Sequence, residues 1–360
     1  MNSAYVFVFI TSFVTLFLMR KVAKKIGLVD KPNARKLHQG AVPLVGGISV
    51  FLSLCAGFIL YLPMNSNLGL YLSCSGVLIV LGVLDDKFDL SFKIRLFVQA
   101  GISLAMIVIG GHSLHNLGYL MGSETIALGE VSGSIITIIA VIGAINAFNM
   151  VDGIDGLLGG LASVTFTALG VVFFTNGNEY LGTFCLLIVA ALTPYTLLNL
   201  GFLFGKRYKI FMGDAGSMFI GFSVVWMLMR GTQDPNIDAF KPVTALWLIA
   251  LPLMDMATIM IRRMRKGHSP FKPDREHLHH ICQRLGLSPL MTLLVICLMA
   301  SICAFIGIYS DFHGVSESVM FIAFLVMFAL YFMVISYIWR ITTFIKKLCG
   351  RNSNAQEADF

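Results

Sequence analysis

Apolar residues along this chain run in unbroken blocks of helical length, and short polar breaks separate the blocks. Blocks near 4–19, 43–62, 70–84, 96–111, 132–148, 157–175, 180–200, 215–230, 243–261, 290–309 and 317–339 predict about eleven spanning helices, because crossing the hydrocarbon core takes roughly 20 apolar residues, fewer where helix ends lie in the interface. Lipid admits only helices or closed barrels, and the alternation a barrel strand needs is absent. The expected fold is an all-α polytopic membrane protein with a single transmembrane domain over 1–345. A polar, aperiodic cytoplasmic tail at 346–360 is expected to be disordered. The breaks at 63–69, 176–179 and 310–316 read as plain turns, whereas 112–132 is longer and reads as an interfacial hairpin or helix.

Composition agrees. Hydrophobic residues make up 57% of the chain and charged ones 12%, with a mean hydropathy of +0.83; a soluble protein carries about a quarter charged residues. The net charge of +7 does not call for nucleic acid, because the basic residues sit in short loops beside apolar blocks. All of the 26 Lys and Arg residues except Arg230 and Lys241 fall in alternate breaks. Under the positive-inside rule that side is cytoplasmic, so the N-terminus is expected in the periplasm and the C-terminus in the cytoplasm. The opening Met-Asn-Ser lacks the basic start of a signal peptide, so the first block is expected to stay as a span. The seven cysteines form no CxxC pair and read as small buried thiols.

The basic side also collects the acidic motifs. Asp85 and Asp86 end the third block, with Asp89 close behind; Asp152 and Asp155 follow the fifth; Gly213-Asp214-Ala-Gly216-Ser217 opens the eighth. Acids tethered to different helices at one depth point to a shared site. Adjacent carboxylates repel, so keeping Asp85 and Asp86 beside apolar surface suits a cation or a basic partner, although helix capping accounts for such a pair equally well. Asp152 and Asp155 share a face if helical, or simply sit in a tight turn. Asp214 at a helix start suits Mg²⁺, which commonly bridges a carboxylate to substrate phosphates. His277, His279 and His280, in a loop with arginines, suit phosphate contact better than zinc. Asp255, two turns from Arg262, is an intramembrane acid read as paired within the bundle.

Together Asp30-Lys-Pro-Asn33, Pro43-Leu-Val-Gly-Gly47, Leu84-Asp-Asp86, Asn146-Ala-Phe-Asn-Met-Val-Asp-Gly-Ile-Asp-Gly156, Phe211-Met-Gly-Asp-Ala-Gly-Ser217 and His277-Leu-His-His280 resemble the polyprenyl-phosphate N-acetylhexosamine-1-phosphate transferases. The resemblance implies a bacterial inner-membrane enzyme with its active site on the cytoplasmic face. It implies transfer of GlcNAc-1-phosphate from UDP-GlcNAc to undecaprenyl phosphate, starting O-antigen or enterobacterial common antigen synthesis, with Mg²⁺ or alternatively Mn²⁺ as cofactor. Asp85, Asp86, Asp152 and Asp155 are then the catalytic candidates, Asp214 and Asn149 the metal ligands. Gly153, Asn199, Phe211, Arg265, His277, His279 and His280 are the substrate-binding candidates. Substrates and membrane lipid are the expected partners, a homodimer is admitted, and nucleic acid is not expected. Pro43-Leu-Val-Gly-Gly47 departs from the motif of the peptidoglycan branch and argues against its larger sugar. The competing readings are another UDP-sugar and, from a different class, an ion-coupled transporter, whose acids would sit nearer the bilayer midplane.

Overall fold

Asn65, Asn178 and Ser288 each open a helix by accepting a hydrogen bond from the amide three residues on, at 2.8, 3.0 and 3.2 Å. Each satisfies one of the amides that a first turn leaves without a partner. The computed structural model describes residues 2–31, 40–270 and 276–348. In chain order it runs α1 (Asn2–Ile26), β1 (Val29–Asp30), β2 (Val42–Pro43), α2 (Gly46–Tyr61), α3 (Ser66–Phe88), α4 (Phe92–Val108), α5 (Glu130–Val151), α6 (Leu157–Thr175), α7 (Glu179–Asn199), α8 (Gly213–Gln233), α9 (Pro242–Leu248), α10 (Ala250–Arg265), α11 (Leu278–Arg284), α12 (Pro289–Phe312) and α13 (Glu317–Leu348). The expected domain boundary at 345 falls inside α13, and 349–360 lie outside the described residues, as do Asn33 and 271–275.

Each of the eleven expected blocks falls on a helix or a helix pair, yet the described residues hold seven helices long and apolar enough to cross a membrane, or up to eight with a bent pair taken as one span. The chain is a multi-pass membrane protein. The other three blocks differ for physical reasons. Two are short: α2 has 16 residues and α4 has 17. The third, α8, carries Asp214 and Arg230 and is enclosed by protein on nearly every side, so it has little need of lipid-compatible residues.

The block expected as one helix over 243–261 is broken. Here α9 and α10 meet at 80°, with Ile249 as the bent residue between them at φ −119°, ψ 23°. Pro252 has no amide hydrogen to give the Leu248 carbonyl; the Thr165 hydroxyl of α6 donates to that carbonyl instead, at 3.3 Å. Such side-chain rescue is what allows broken helices at membrane depth.

Packing rather than a hydrophobic drive holds helices together in lipid, and close approach requires small residues. At Gly82 of α3 a Cβ would lie 2.1 Å from the Ala215 Cα, so glycine there lets α3 press directly onto the first turn of α8. Hydrogen bonds join other helices: the Ser12 hydroxyl donates to the Ala191 carbonyl at 2.7 Å, and Tyr71 and Ser223 share one at 2.7 Å. Large apolar side chains face outward on α1, α4, α5, α12 and α13, as with Phe97 at 80% exposure, and form the lipid-facing surface.

The two ends of the bundle are built differently. One is closed by segments that clip to each other. There, 112–132 folds as the expected hairpin, with Asn116 bridged to Ala127, and Gln233 Oε1 accepts the His115 amide at 2.9 Å. Asp311 accepts the Lys241 amide at 3.0 Å and the Thr244 hydroxyl at 2.7 Å. The other end gathers the last turns of α3, α5 and α7, the first turns of α6 and α8, and the β1–β2 hairpin.

Candidate active site

Asp85 and Asp86, adjacent in the last turn of α3, point to different tasks. Asp85 is buried; its Oδ2 pairs with Arg95 Nη1 at 2.7 Å and its Oδ1 accepts the Leu90 amide at 2.9 Å. That locks the turn from α3 into α4. Asp86 faces the other way and accepts the Asp214 amide at 2.9 Å, with the Ala215 amide at 3.5 Å. It therefore caps α8 across a gap of more than a hundred residues, satisfying amides that the first turn leaves without a partner.

Asp214, in that same first turn, receives a hydrogen bond from the Asn149 amide nitrogen at 2.7 Å, and Asn149 donates to Ser217 Oγ at 2.8 Å. Both amide hydrogens are thereby used within the protein, leaving the amide oxygen for a ligand. Asp152 follows α5 directly. Burial pushes its carboxyl up to about 7, and the negative charges of Asp214 and Asp155 push the same way. Asp155 pairs with Lys209, Oδ2 to Nζ at 2.6 Å.

Asn199 ends α7 with both polar ends committed: it accepts the Gly156 amide at 2.5 Å and donates to the Ile210 carbonyl at 2.8 Å. It braces the Asp152–Gly156 turn against the chain that leads to Phe211. Phe211 in turn is zipped to the Pro43–Gly47 motif: its amide donates to the Pro43 carbonyl at 2.9 Å and its carbonyl accepts the Gly46 amide at 2.9 Å. The motif thus seats the entry into α8.

The histidine segment divides. His277 is buried, and its Nδ1 lies 2.7 Å from Asp255, whose carboxylate also accepts the Leu278 amide at 3.0 Å and the Tyr331 hydroxyl at 2.8 Å. Asp255 is therefore paired, but with the histidine segment and α13; Arg262 instead meets Glu276 at 2.9 Å. His279 packs on Gly153, where a Cβ would fall 2.1 Å from its Nε2, so any larger residue there would displace the His279 ring. Burial, then His280 and His277, push His279 down to about 3, which keeps it neutral. The His280 ring is 4.2 Å from that of His279.

A cavity of about 540 Å³ opens at this end, lined by Asp86, Asn149, Asp152, Gly153, Asp155, Asn199, Phe211 and Asp214 among the expected site residues. The structure does not bring Asp85, Arg265, His277, His279 or His280 to its lining. Asp85 is spent on Arg95 and the Leu90 amide and His277 on the buried Asp255, His279 stands behind Gly153, and the Arg265 guanidinium lies 4.9 Å over the Phe332 ring of α13.

The chain matches the family model for glycosyl transferase family 4 over residues 67–232. It is 48% identical to a Yersinia pestis protein over 99% of this chain and 97% of that one, 51% identical to one from Escherichia coli K12 over 96% and 93%, and 44% identical to one from Haemophilus influenzae over 97% and 98%. All three are named undecaprenyl-phosphate alpha-N-acetylglucosaminyl 1-phosphate transferase. The chain belongs to glycosyl transferase family 4.

In this family-4 transferase, an enzyme, the cavity also includes Asp30, Leu44, Lys209, Gln283 and Pro289, none of which stood among the expected site residues. Asp30 and Leu44 lie in or beside motifs already noted. Lys209 was hidden within a basic cluster that reads as a topological anchor. Gln283 and Pro289 carry no signal of their own and arrive only through the packing of α11 and α12. Among the described residues no group of three or more His, Cys, Asp and Glu forms a ready-made metal cage. The donor set nevertheless fits a hard divalent cation, because Mg²⁺ usually takes one or two carboxylates and completes its shell with water and substrate phosphates. Burial, and after it the negative charges of Asp214 and Asp155, lift Asp152 toward neutrality, and a cation held beside it would offset both.

Proposed function

We propose that the protein transfers GlcNAc-1-phosphate from UDP-GlcNAc to undecaprenyl phosphate, giving undecaprenyl-diphospho-GlcNAc and UMP, at the cytoplasmic face of a bacterial inner membrane. The relatives' names suggest the sugar and the lipid. The observation that carries the reading is one cavity, at the basic end of the bundle, into which Asp86, Asn149, Asp152 and Asp214 converge from separate stretches of chain.

An oxygen of the lipid phosphate attacks the sugar-bearing phosphorus, the bond from that phosphorus to the bridging oxygen breaks, and UMP departs with that oxygen. Such a transfer asks for positioning and charge neutralisation more than for covalent help. Mg²⁺, with Mn²⁺ as an alternative, would supply that neutralisation as a Lewis acid when bound. Asp214 and the Asn149 oxygen are the groups to hold it, with Asp152 facing the same space. Asp86 keeps Asp214 in register by capping α8. A phosphate monoester has a second pKa near 6 and is mostly dianionic at neutral pH, so no side chain has to take its proton. Asp85, committed to Arg95 and Leu90, is then a structural brace. The product is of the kind that starts O-antigen or enterobacterial common antigen assembly.

The test is direct: purified protein with labelled UDP-GlcNAc, undecaprenyl phosphate and Mg²⁺ should yield lipid-linked label and UMP. EDTA should stop the reaction, and Asp214→Asn should abolish nearly all of it while leaving a folded protein. Label that stays water-soluble in every condition would overturn the reading.

A further inference from the structure

Among the described residues that line the cavity, Lys209 is the one cationic side chain, beside the carboxylates Asp30, Asp86, Asp152, Asp155 and Asp214. Its Nζ sits 2.6 Å from Asp155 Oδ2 and 5.1 Å from the centroid of the Phe211 ring. The Lys209 side chain is 18% exposed and that of Asp155 39%, so the pair is open on the cavity side. An ion pair this accessible stabilises a fold little. A lysine ammonium has three donors, and the one hydrogen bond to Asp155 leaves others for a ligand.

The neighbour decides what that ligand is. Lys209 and Phe211 are two apart, and the ammonium is held against the aromatic ring. A cation set against an aromatic face matches a nucleotide, which presents phosphate and a planar base together. A lipid phosphate would need only the charge. Without a cation, the ring of carboxylates would also repel an anionic donor.

We propose that Lys209 is the contact for the phosphates of the donor nucleotide, and that Asp155 is a positioning residue that aims it. The inference rests on the nucleotide-sugar reading above and adds a residue and a role to it. Asp155 thereby leaves the group of reacting carboxylates.

Steady-state kinetics and inhibition by UDP and by uridine, measured on full-length protein in detergent, test this. Lys209→Met should raise the KM for UDP-GlcNAc and weaken UDP inhibition about tenfold, the worth of one charge-assisted hydrogen bond. It should leave kcat, the KM for undecaprenyl phosphate and uridine inhibition close to wild type. Lys209→Arg should recover most of the loss. Asp155→Asn should give a smaller rise and add little in the double variant, since the two act as one unit. Equal weakening of uridine and UDP, a change confined to the lipid KM, or unchanged UDP inhibition in a folded Lys209→Met protein would overturn the inference alone. A wild type that neither binds UDP nor consumes UDP-GlcNAc would overturn the functional reading with it.

Discussion

Neighbouring carboxylates in one helical turn hold different positions because their side chains leave the helix in different directions. Asp85 braces α4 and Asp86 caps α8; the sequence shows two acids and cannot say which is which, since neither Arg95 nor the Asp214 amide is near in any pattern. Asp85→Asn should lower stability by about 1.5–3 kcal/mol, the range for hydrogen bonds to charged groups, and Arg95→Met should add little on top of it. Thermal unfolding in detergent of the two single variants and the double checks this; fully additive losses would mean the pair is not coupled. His279 carries a pH dependence. Its folded value is depressed from 6.5 to about 3, so the unfolded chain binds more protons in between, and the contribution is complete above pH 6.5 and lost as pH falls toward 3. The melting temperature of wild type should drop more steeply between pH 6.5 and 4.5 than that of His279→Gln. Parallel curves would show that His279 is not held neutral by burial. The motif singled out the histidines as phosphate contacts; that His277 turns inward to Asp255, which also holds Tyr331, was not legible, because α13 contributes a tyrosine from a plain apolar block.

At the scale of elements, the apolar blocks located the helices well and the break in one of them poorly. Pro252 lies inside a block that reads as continuous, and proline inside a membrane helix is tolerated often enough that its presence alone does not forecast an 80° bend. What α8 does was also hidden: a helix surrounded by protein resembles a weak span in sequence. Its seat depends on Gly82, where a Cβ would meet the Ala215 Cα at 2.1 Å and the Asp214 carbonyl carbon at 2.7 Å. Gly82→Val should therefore push α8 away from α3, costing about 1–3 kcal/mol or more as overpacking does, and abolish turnover by moving Asp214. Gly101→Ala, where nothing lies within 4 Å, should leave both melting temperature and turnover unchanged. If both variants behaved alike, the close approach would not be what sets the site.

For the whole molecule, charge asymmetry and motif placement foresaw acids from several helices gathered at one end of a helical bundle, where they line one cavity. That end joins the last turns of α3, α5 and α7 to the first turn of α8, and polar chemistry concentrates where those helices meet instead of at mid-depth, where a transporter would carry it. The opposite end is committed to clipping loops together. What sequence could not supply is the division between residues that face the cavity and residues that hold them there, since that depends on which helix packs on which. The account stands on the cavity acids sharing one divalent cation with the nucleotide donor. Electron paramagnetic resonance of Mn²⁺ titrated into purified protein with UDP-GlcNAc measures that sharing. Wild type should bind Mn²⁺ with phosphorus couplings from the nucleotide, and Asp214→Asn should weaken binding about tenfold or more, consistent with loss of a ligand. Identical Mn²⁺ spectra and affinities in the two proteins would contradict it.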